Sequence, residues 1–277
     1  MLPQAEIKKI FADAQAIITG DHFVYAKKAD GEYHGPDYVN KDAIYPFVNR
    51  VSDLCKEIAR HFLERKYFAD GTDGRIDVVV GPTVGAVSLA QWTARWFDYE
   101  FGHLVLAICA DEEDVLEPRK IFKEMQAPWK EEFSFSASGK VEIKRSATGN
   151  LEVVFTEKVG TRRVIKRGYG KHVKGKRCLI VEDVINSGAT VAKTRDAILQ
   201  MGGEVAGVGC LCNRSGGKVT STALCVPELF SLLDVDMEMF KEETCPICRE
   251  KGRGSVRLDL GKGKEFLARI GINPGNK

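Results

Sequence analysis

The sequence predicts an α/β fold in which helices cover both faces of a mainly parallel sheet. Two observations predict it. Short apolar runs rich in β-branched residues recur along the chain, and stretches with helical periodicity separate them. In addition, two of these runs end in glycines or acids directly before a helix, at the end of the strand where such sheets bind ligands.

The N-terminal part predicts one helix and a small β-rich unit. Apolar side chains recur at helical spacing over residues 5–18, at Ile7, Ile10, Phe11 and Ala14. Short strands are expected at 22–25 and 38–40, around a turn rich in glycine and charge. Together they predict a small structure beside the main sheet.

The main sheet is expected to alternate strands with helices. Apolar runs predict strands at 75–80, 103–109, 151–156, 178–181, 205–212 and 229–234. Helical periodicity predicts helices at 48–62, 86–96 and about 191–201.

Residues 111–149 break this alternation. The stretch is too long for a plain connection, and segments 133–136 and 140–144 alternate with period 2. It therefore predicts a β-rich antiparallel insertion.

The composition is that of an ordinary globular protein. Of 277 residues, 44% are hydrophobic and 29% are charged, which suits one α/β domain with additions. The formal net charge of +2 gives no reason to expect nucleic acid as a partner. No apolar run approaches membrane-spanning length, no apolar signal segment is visible, and eight cysteines are spread along the chain. We therefore expect a cytoplasmic protein with reduced thiols and no membrane association.

The most informative stretch is 178–190. An apolar strand ends in Glu182 and Asp183, and a turn of small and polar residues follows before a helix begins: Asn186, Ser187, Gly188, Ala189 and Thr190. Adjacent carboxylates can accept hydrogen bonds from two ribose hydroxyls. The turn offers backbone N–H groups, hydroxyls and a helix N-terminus to a phosphate. This order predicts a sugar-phosphate site.

Residues 181–190 resemble the phosphoribosyl pyrophosphate motif of type I phosphoribosyltransferases, and the Glu-Asp-Val-Ile form is most similar to orotate phosphoribosyltransferases. The resemblance implies a Rossmann-like fold at 1–225, with an N-terminal hood at about 1–45 and the insertion at about 111–149. Residues 226–277 would form a C-terminal extension. In the family the acids hold the ribose hydroxyls and the next turn holds the 5′-phosphate. This implies those roles for Glu182, Asp183 and residues 186–190, although the family more often has two Thr, or Thr and Ala, before the glycine.

A second turn and a basic stretch complete the expected site. Glycines let the backbone of a turn approach an anion closely, and the family binds pyrophosphate at the position of Gly81, Pro82, Thr83, Val84 and Gly85. Residues 158–177 hold nine Lys or Arg and no acid, which predicts a mobile loop that closes over a polyanion. A solvated basic hairpin is the alternative.

The resemblance implies that this loop is a lid that often reaches the partner subunit. Lys158 matches the lid best and is given a catalytic role together with Glu182 and Asp183. Arg162 and Arg163 are candidates for the pyrophosphate, as are Lys27, Lys28 and Lys41 of the hood for base or phosphate.

A separate pair of cysteines has the spacing of a metal knuckle. Cys245 and Cys248 flank two residues, and Cys210 with Cys212 could supply two further thiolates to a structural zinc site. The alternative is that the strand around Cys210 buries both cysteines as small apolar residues.

We therefore expect an enzyme that transfers the 5-phosphoribosyl group from phosphoribosyl pyrophosphate to a pyrimidine base, with orotate as the expected base, with Mg²⁺ and as a homodimer. Two alternatives stay open. One is a phosphoribosyltransferase for another base. The other is a regulatory protein that senses phosphoribosyl pyrophosphate and grips nucleic acid with the basic stretch.

Overall fold

The computed structural model describes residues 2–25, 27, 31–64, 75–102, 104–122, 140–145 and 151–272. Its helices are α1 (Gln4–Asp13), α2 (Val48–Glu64), α3 (Ala86–Phe101), α4 (Ala189–Gln200), α5 (Ser221–Leu224), α6 (Pro246–Lys251) and α7 (Gly263–Arg269). Its strands are β1 (Ile17–Ile18), β2 (Phe23–Val24), β3 (Tyr33–Gly35), β4 (Tyr38–Val39), β5 (Val78–Pro82), β6 (Leu106–Phe122), β7 (Lys140–Arg145), β8 (Leu151–Val164), β9 (Arg177–Ile185), β10 (Glu204–Asn213), β11 (Leu229–Asp234) and β12 (Phe240–Lys241).

The main sheet is mixed, with a parallel core. Its strand order is β11-β10-β9-β5-β6-β8-β7. The five strands from β11 to β6 run parallel, and β8 and β7 are antiparallel additions at one edge. The valines of β5 and residues 178–181 of β9 are fully buried, as expected for strands covered on both faces. The predicted α/β class is confirmed.

Helices pack on both faces of this sheet. On one face, Leu54, Ile58 and Phe62 of α2 pack in the same core as Leu89 and Phe97 of α3. On the other face, Val191 and Ile198 of α4 share a second core with alternate residues of β5, β9 and β10. This layering fixes the carboxyl ends of β5 and β9 side by side.

A long antiparallel ribbon leaves the parallel sheet at its edge. β6 runs on to Phe122, well past the predicted 103–109, and pairs with β8 from Asp111↔Val164 to Phe122↔Val153. We call residues 111–122 and 151–164 the ribbon. The antiparallel character predicted for the insertion agrees with this pairing and with β7, whereas the alternating segment 133–136 lies outside the described residues.

The basic stretch is therefore not a loop over its first part. Residues 158–164 belong to β8, and a short 3-10 turn at Tyr169–His172 precedes β9. Pairing with the acidic residues of β6, distant in sequence, converts the expected loop into a strand.

The hood differs in detail from its prediction. The first helix ends at Asp13 because Gln15 adopts a left-handed conformation, with a φ of 52°. Ile17–Ile18, predicted as helix, then form a strand that pairs with β4. The two predicted short strands do not pair with each other, since β2 pairs with a strand inside the predicted turn, β3.

The C-terminal extension completes the hood. β12 pairs with β3, so the small sheet has the order β12-β3-β2. Phe266 and Leu267 of α7 pack with Val24 and Val256 in a small core of their own. β11, which the sequence-based division placed in the extension, lies in the main sheet, so we propose that the extension begins after Asp234.

None of the helices in the described part of the chain is long and apolar enough to span a membrane.

Candidate functional site

The candidate site lies where β5 and β9 end. The two strands are parallel neighbours, with Val78 opposite Cys178 and Val80 opposite Ile180. Their following residues, the turn 81–85 and the acids Glu182 and Asp183, therefore meet at one edge of the sheet. This is the edge at which open α/β sheets bind ligands.

The two acids are buried next to each other. Glu182 is 7% exposed and Asp183 is 4% exposed. Burial, and then the charge of Asp183, raises the pKa of Glu182 to about 8. Placing two carboxylates out of water in this way is costly, and such an arrangement is typical of a site that receives hydrogen-bond donors or a cation from a ligand.

Two hood residues hold Asp183. The Lys41 ammonium lies 2.6 Å from Asp183 Oδ2. Partial burial lowers the pKa of Lys41, but the hydrogen bond to Asp183 and its charge outweigh this and raise it. The Tyr45 hydroxyl lies 2.6 Å from the Gly85 carbonyl oxygen and 3.2 Å from Asp183 Oδ2. Burial and then the nearby Asp183 charge raise the pKa of Tyr45, which keeps its proton.

Gly85 is required by the contact between the turn and the acid. A Cβ atom at Gly85 would lie 2.0 Å from Asp183 Oδ2 and 2.8 Å from Lys41 Nζ. Any side chain would push the turn away from both groups. The peptide bond between Thr83 and Val84 is cis.

The predicted phosphate turn has the expected form. Gly188 precedes α4 with a left-handed φ of 75°, and a Cβ atom there would lie 2.7 Å from Leu224. Ala189 is the first residue of α4 and Thr190 follows it, so the turn lies at the helix N-terminus, where backbone N–H groups have no partner within the helix. Asn186 and Thr190 line a cavity in front of the turn.

The first cavity is lined by most of the residues predicted to bind phosphoribosyl pyrophosphate. The exceptions are Gly81, Lys158, Arg162 and residues 187–189. The cavity has a volume of about 300 Å³. Hood, turn 81–85, acids and phosphate turn contribute to its wall, through Tyr38, Val39, Asn40, Lys41, Asp42, Pro82, Thr83, Val84, Gly85, Arg163, Glu182, Asp183, Val184, Asn186, Thr190 and Arg214.

A second cavity adjoins the first and shares Asn186 and Arg214 with it. Its volume is about 480 Å³. Cationic and apolar side chains line it together with polar residues of two turns: Tyr25, Lys27, Asn186, Ser187, Arg214, Ser215, Lys218, Val219, Met237 and Met239. The two cavities are therefore neighbours that share part of their walls, and together we call them the groove.

The comparisons with known proteins agree with this geometry. A family described as "Phosphoribosyl transferase domain" matches residues 51–237. An orotate phosphoribosyltransferase of Chlorobium phaeobacteroides is 38% identical over 241 residues, which cover 87% of this chain and 88% of the relative. The chain belongs to the phosphoribosyltransferase family. The predicted family membership is confirmed.

Further relatives and structures carry similar names. An orotate phosphoribosyltransferase of Caldicellulosiruptor bescii is 26% identical over 242 residues, 87% of this chain and 90% of the relative. The crystal structure of orotate phosphoribosyltransferase from Aeropyrum pernix is similar with a TM-score of 0.49 and 15% identity, covering 96% of this chain and 98% of that chain. An adenine phosphoribosyltransferase from Rhodothermus marinus has a TM-score of 0.43 and 15% identity, covering 84% and 100%.

Within this phosphoribosyltransferase, the basic residues predicted for pyrophosphate separate into two groups. Arg163 is 8% exposed and lines the first cavity. Its Nη1 donates to the Thr83 carbonyl oxygen at 2.9 Å, which fixes the arginine to the turn 81–85. Arg162 faces the other side of the ribbon and donates two hydrogen bonds to Glu113, at 2.9 and 2.7 Å. The strand alternation separates these neighbours.

Lys158 is not among the described residues that line either cavity. Its ammonium lies 2.6 Å from Asp114 in an exposed ion pair on the ribbon, and the hydrogen bond to Asp114 raises the pKa of Lys158. Lys27 lines the second cavity and Lys41 the first, whereas Lys28 lies outside the described residues.

Tyr45 and Arg214 are among the site residues that sequence reasoning missed. They lie near the predicted elements, but neither belongs to the quoted motifs. Arg214 directly follows β10, the strand next to β9, so its position after an apolar strand was the signal that could have found it.

The predicted four-cysteine metal site is wrong in two of its four members. Cys210 and Cys212 lie fully buried in β10, where burial raises the pKa of Cys212 to about 12 and that of Cys210 further, so they stay protonated. Among the described residues, the group that could hold a metal ion combines Cys245 and Cys248 with His22 and His34. No motif in the sequence links these histidines to the cysteines, because only the fold brings the hood and the extension together.

Proposed function

We propose that this phosphoribosyltransferase joins orotate to phosphoribosyl pyrophosphate and releases pyrophosphate. The observation that carries the proposal is the groove with two different halves. The first cavity has buried carboxylates and an anion-binding turn, which suit ribose and pyrophosphate. The second has Lys27, Arg214 and Lys218 beside apolar side chains, which suits a planar base that carries a negative charge.

On the donor side, each group has a separate task. Glu182 and Asp183 accept hydrogen bonds from the two ribose hydroxyls and fix the ring. The turn 186–190 binds the 5′-phosphate at the start of α4. The turn 81–85 and Arg163 bind the pyrophosphate, because Arg163 already contacts the Thr83 carbonyl and adds a buried positive charge.

The reaction then needs no covalent nucleophile from the protein. A ring nitrogen of the base forms a bond to C1′, and the C1′–O bond breaks with its electron pair going to pyrophosphate. The proton on the base nitrogen goes to solvent. Charge develops on the departing pyrophosphate, and donors held in place around it lower the barrier.

Magnesium fits the donor side. Mg²⁺ prefers oxygen ligands and is usually held by one or two carboxylates together with substrate phosphates. The buried pair Glu182 and Asp183 offers such oxygens beside the pyrophosphate turn. When bound, the ion would neutralise charge on the pyrophosphate. The Lys41 ammonium, 2.6 Å from Asp183, neutralises this carboxylate in the absence of substrate.

On the acceptor side, we assign Arg214 to the base. Its Nε is buried and has no hydrogen-bond partner among the described residues, and the side chain lines both cavities. A guanidinium in this position can bind the carboxylate of orotate with two hydrogen bonds. Met237 and Met239 offer apolar contact to a flat ring.

We also propose a cytoplasmic homodimer in which Lys158 acts at the partner's site. The eight cysteines are all free thiols, as in a reducing compartment. Leu116 and Val159 on the ribbon are 54% and 47% exposed, and a second copy would cover them. Since Lys158 is distant from the cavities of its own chain, a catalytic role for it requires that the ribbon reaches another copy.

The ion pairs of the ribbon argue against the alternative of a regulatory protein that binds nucleic acid through the basic stretch. Acids of β6 neutralise much of the rest of the basic stretch through ion pairs, among them Arg162–Glu113, Lys166–Glu113 and Arg167–Asp111. Charges that are already paired offer little to a phosphate backbone.

The experiment is a panel of bases with phosphoribosyl pyrophosphate and Mg²⁺. We expect transfer to orotate and a rate at least ~100-fold lower with uracil or adenine, which lack a carboxylate for Arg214. Arg214→Ala should raise KM for orotate more than KM for phosphoribosyl pyrophosphate, with Arg95→Ala, at an exposed position of α3, as the control. Transfer to adenine in preference to orotate would favour the rival enzyme, and binding without turnover would favour the sensor.

A further inference from the structure

Four metal-binding side chains meet between the hood and the C-terminal extension, away from the groove. His22 directly precedes β2 and His34 lies in β3, while Cys245 and Cys248 lie at the start of α6. One ligand atom from each lies within 4.8 Å of all the others. Three are almost completely buried, with exposures of 0% for His22 and His34 and 1% for Cys245.

The separations match a tetrahedral zinc site. In a tetrahedral site with ordinary Zn–N and Zn–S bond lengths, two nitrogen ligands lie about 3.3 Å apart, and a nitrogen and a sulfur ligand lie about 3.6 Å apart. His22 Nε2 and His34 Nδ1 are 3.1 Å apart. His22 Nε2 lies 3.8 Å from Cys245 Sγ and 3.5 Å from Cys248 Sγ, and His34 Nδ1 lies 3.2 Å from Cys248 Sγ.

A hydrogen-bond chain fixes the tautomer of His22. The Ser255 hydroxyl donates to the Gly252 carbonyl oxygen at 2.7 Å, so its oxygen accepts from His22 Nδ1–H, also at 2.7 Å. The proton of the neutral imidazole is therefore on Nδ1, and Nε2 presents its lone pair to the two sulfurs. Orientation of a histidine ligand by a partner on its other nitrogen is usual around metal ions.

The cysteines are also arranged as ligands. The Cys248 N–H donates to Cys245 Sγ at 3.4 Å, which stabilises a thiolate at Cys245. A hydrophobic core gains nothing from two imidazoles and two thiols brought together out of water. Two thiolates and two imidazoles form a closed, electrically balanced set for Zn²⁺, and their softness disfavours Mg²⁺ or Ca²⁺.

We propose that His22, His34, Cys245 and Cys248 bind a structural Zn²⁺ that fixes the C-terminal extension to the hood. The two segments are more than two hundred residues apart in sequence, and around the site they are joined by β12–β3 pairing and by the hydrogen bond from Arg257 N–H to the His22 carbonyl. A metal bond between them would stabilise a part of the molecule that has only a small core.

The metal would also stabilise the base pocket, an inference that rests on the proposed function. Tyr25, next to β2, and Met237 and Met239, just before β12, line the acceptor cavity. These residues adjoin β2 and β12, and the metal would join the segments that contain these two strands. The ion would thereby hold one wall of the base pocket in place without touching substrate.

Metal analysis tests the proposal independently of activity. Protein purified without added metal should contain about one zinc per chain, and Cys248→Ser should contain less than about a tenth. Cys225→Ser, at an exposed cysteine outside the cluster, and the double variant Cys210→Ser/Cys212→Ser should keep their zinc. Less than about a tenth of an equivalent in the unaltered protein, or equal zinc in Cys248→Ser, would overturn the proposal.

A second measurement covers the case in which Cys248→Ser does not fold. Unaltered protein produced with Co²⁺ should show the visible bands of tetrahedral cobalt and the near-ultraviolet charge-transfer band of cobalt–thiolate bonds. A spectrum of six-coordinate cobalt, or a disulfide between Cys245 and Cys248 in protein prepared under reducing conditions, would contradict the site. A zinc-loaded protein that transfers no phosphoribosyl group would leave the metal site standing and refute the proposed function alone.

Discussion

The sheet edge and the ribbon both carry dense charge, and they use it in opposite ways. On the ribbon, Arg162 pairs with Glu113 in water, where such a pair contributes little to stability. At the sheet edge, Glu182 and Asp183 are buried next to each other. Charges that satisfy one another in water predict little function, whereas buried like charges indicate a site completed by its ligand.

The largest expected effect comes from the buried acids. Asp183→Asn keeps the shape of the side chain but removes the charge that Lys41 neutralises and that the proposed contacts with ribose and Mg²⁺ require. We expect kcat/KM to fall at least ~100-fold, with an unchanged circular dichroism spectrum. Glu113→Gln on the ribbon, which alters only the exposed pairs with Arg162 and Lys166, is the control and should stay within about twofold. Turnover of Asp183→Asn within about tenfold of the unaltered enzyme would remove the sheet edge from the account.

The second prediction uses two adjacent arginines of β8. Arg163→Lys should lower kcat/KM for phosphoribosyl pyrophosphate by ~10- to 100-fold, because lysine cannot reproduce the contact with the Thr83 carbonyl inside the cavity. Arg162→Lys should change it by less than about twofold, since it alters only an exposed pair with Glu113. Steady-state kinetics of both variants test the difference, and equal effects would mean that the strand alternation does not separate their roles.

The third prediction asks whether the ribbon acts in a second copy. Lys158→Ala alone should lower kcat more than it changes KM. If Lys158 serves the partner's site, mixing the inactive Asp183→Asn chain with the Lys158→Ala chain under exchange should restore about a quarter of normal activity, as expected for random assortment into two-fold dimers. No restoration in verified mixed dimers would show that Lys158 does not act across the interface.

The smallest effect concerns stability. The pKa of Glu182 is raised, so its contribution to folding is favourable below the ordinary glutamate pKa and is lost as pH rises toward about 8. Glu182→Gln should therefore increase the free energy of unfolding at pH 9 by roughly 2 kcal/mol and change it little at pH 4. Urea unfolding at both values measures this. An equal increase in the free energy of unfolding at the two pH values would show that the ionised Glu182 carboxylate does not destabilise the folded protein.

The sheet edge could be predicted from sequence because its signals are local. Strand, acids, turn and helix follow one another within residues 178–190, and each is indicated by its neighbours in the chain. The parallel core followed for the same reason, since runs such as Val78–Val80 can only be buried on both faces.

The strand pairing at 158–164 and the histidine partners of Cys245 and Cys248 could not be predicted, because both depend on contacts between distant segments. Nothing near Lys158 in the sequence shows that Asp114 faces it, and this pairing makes a strand of an expected loop. In the same way, Cys248 gives no sign that its neighbours are His22 and His34, more than two hundred residues earlier. A thiol pair in β10 was the nearer choice by sequence and the wrong one.

The most direct test of the account is a crystal structure with phosphoribosyl pyrophosphate, Mg²⁺ and an unreactive orotate analogue. The account predicts the ribose hydroxyls on Glu182 and Asp183, the 5′-phosphate at the turn before α4, the pyrophosphate between turn 81–85 and Arg163, and the carboxylate of the analogue on Arg214. An analogue bound outside the second cavity, or a ribose without contact to the two acids, would contradict it.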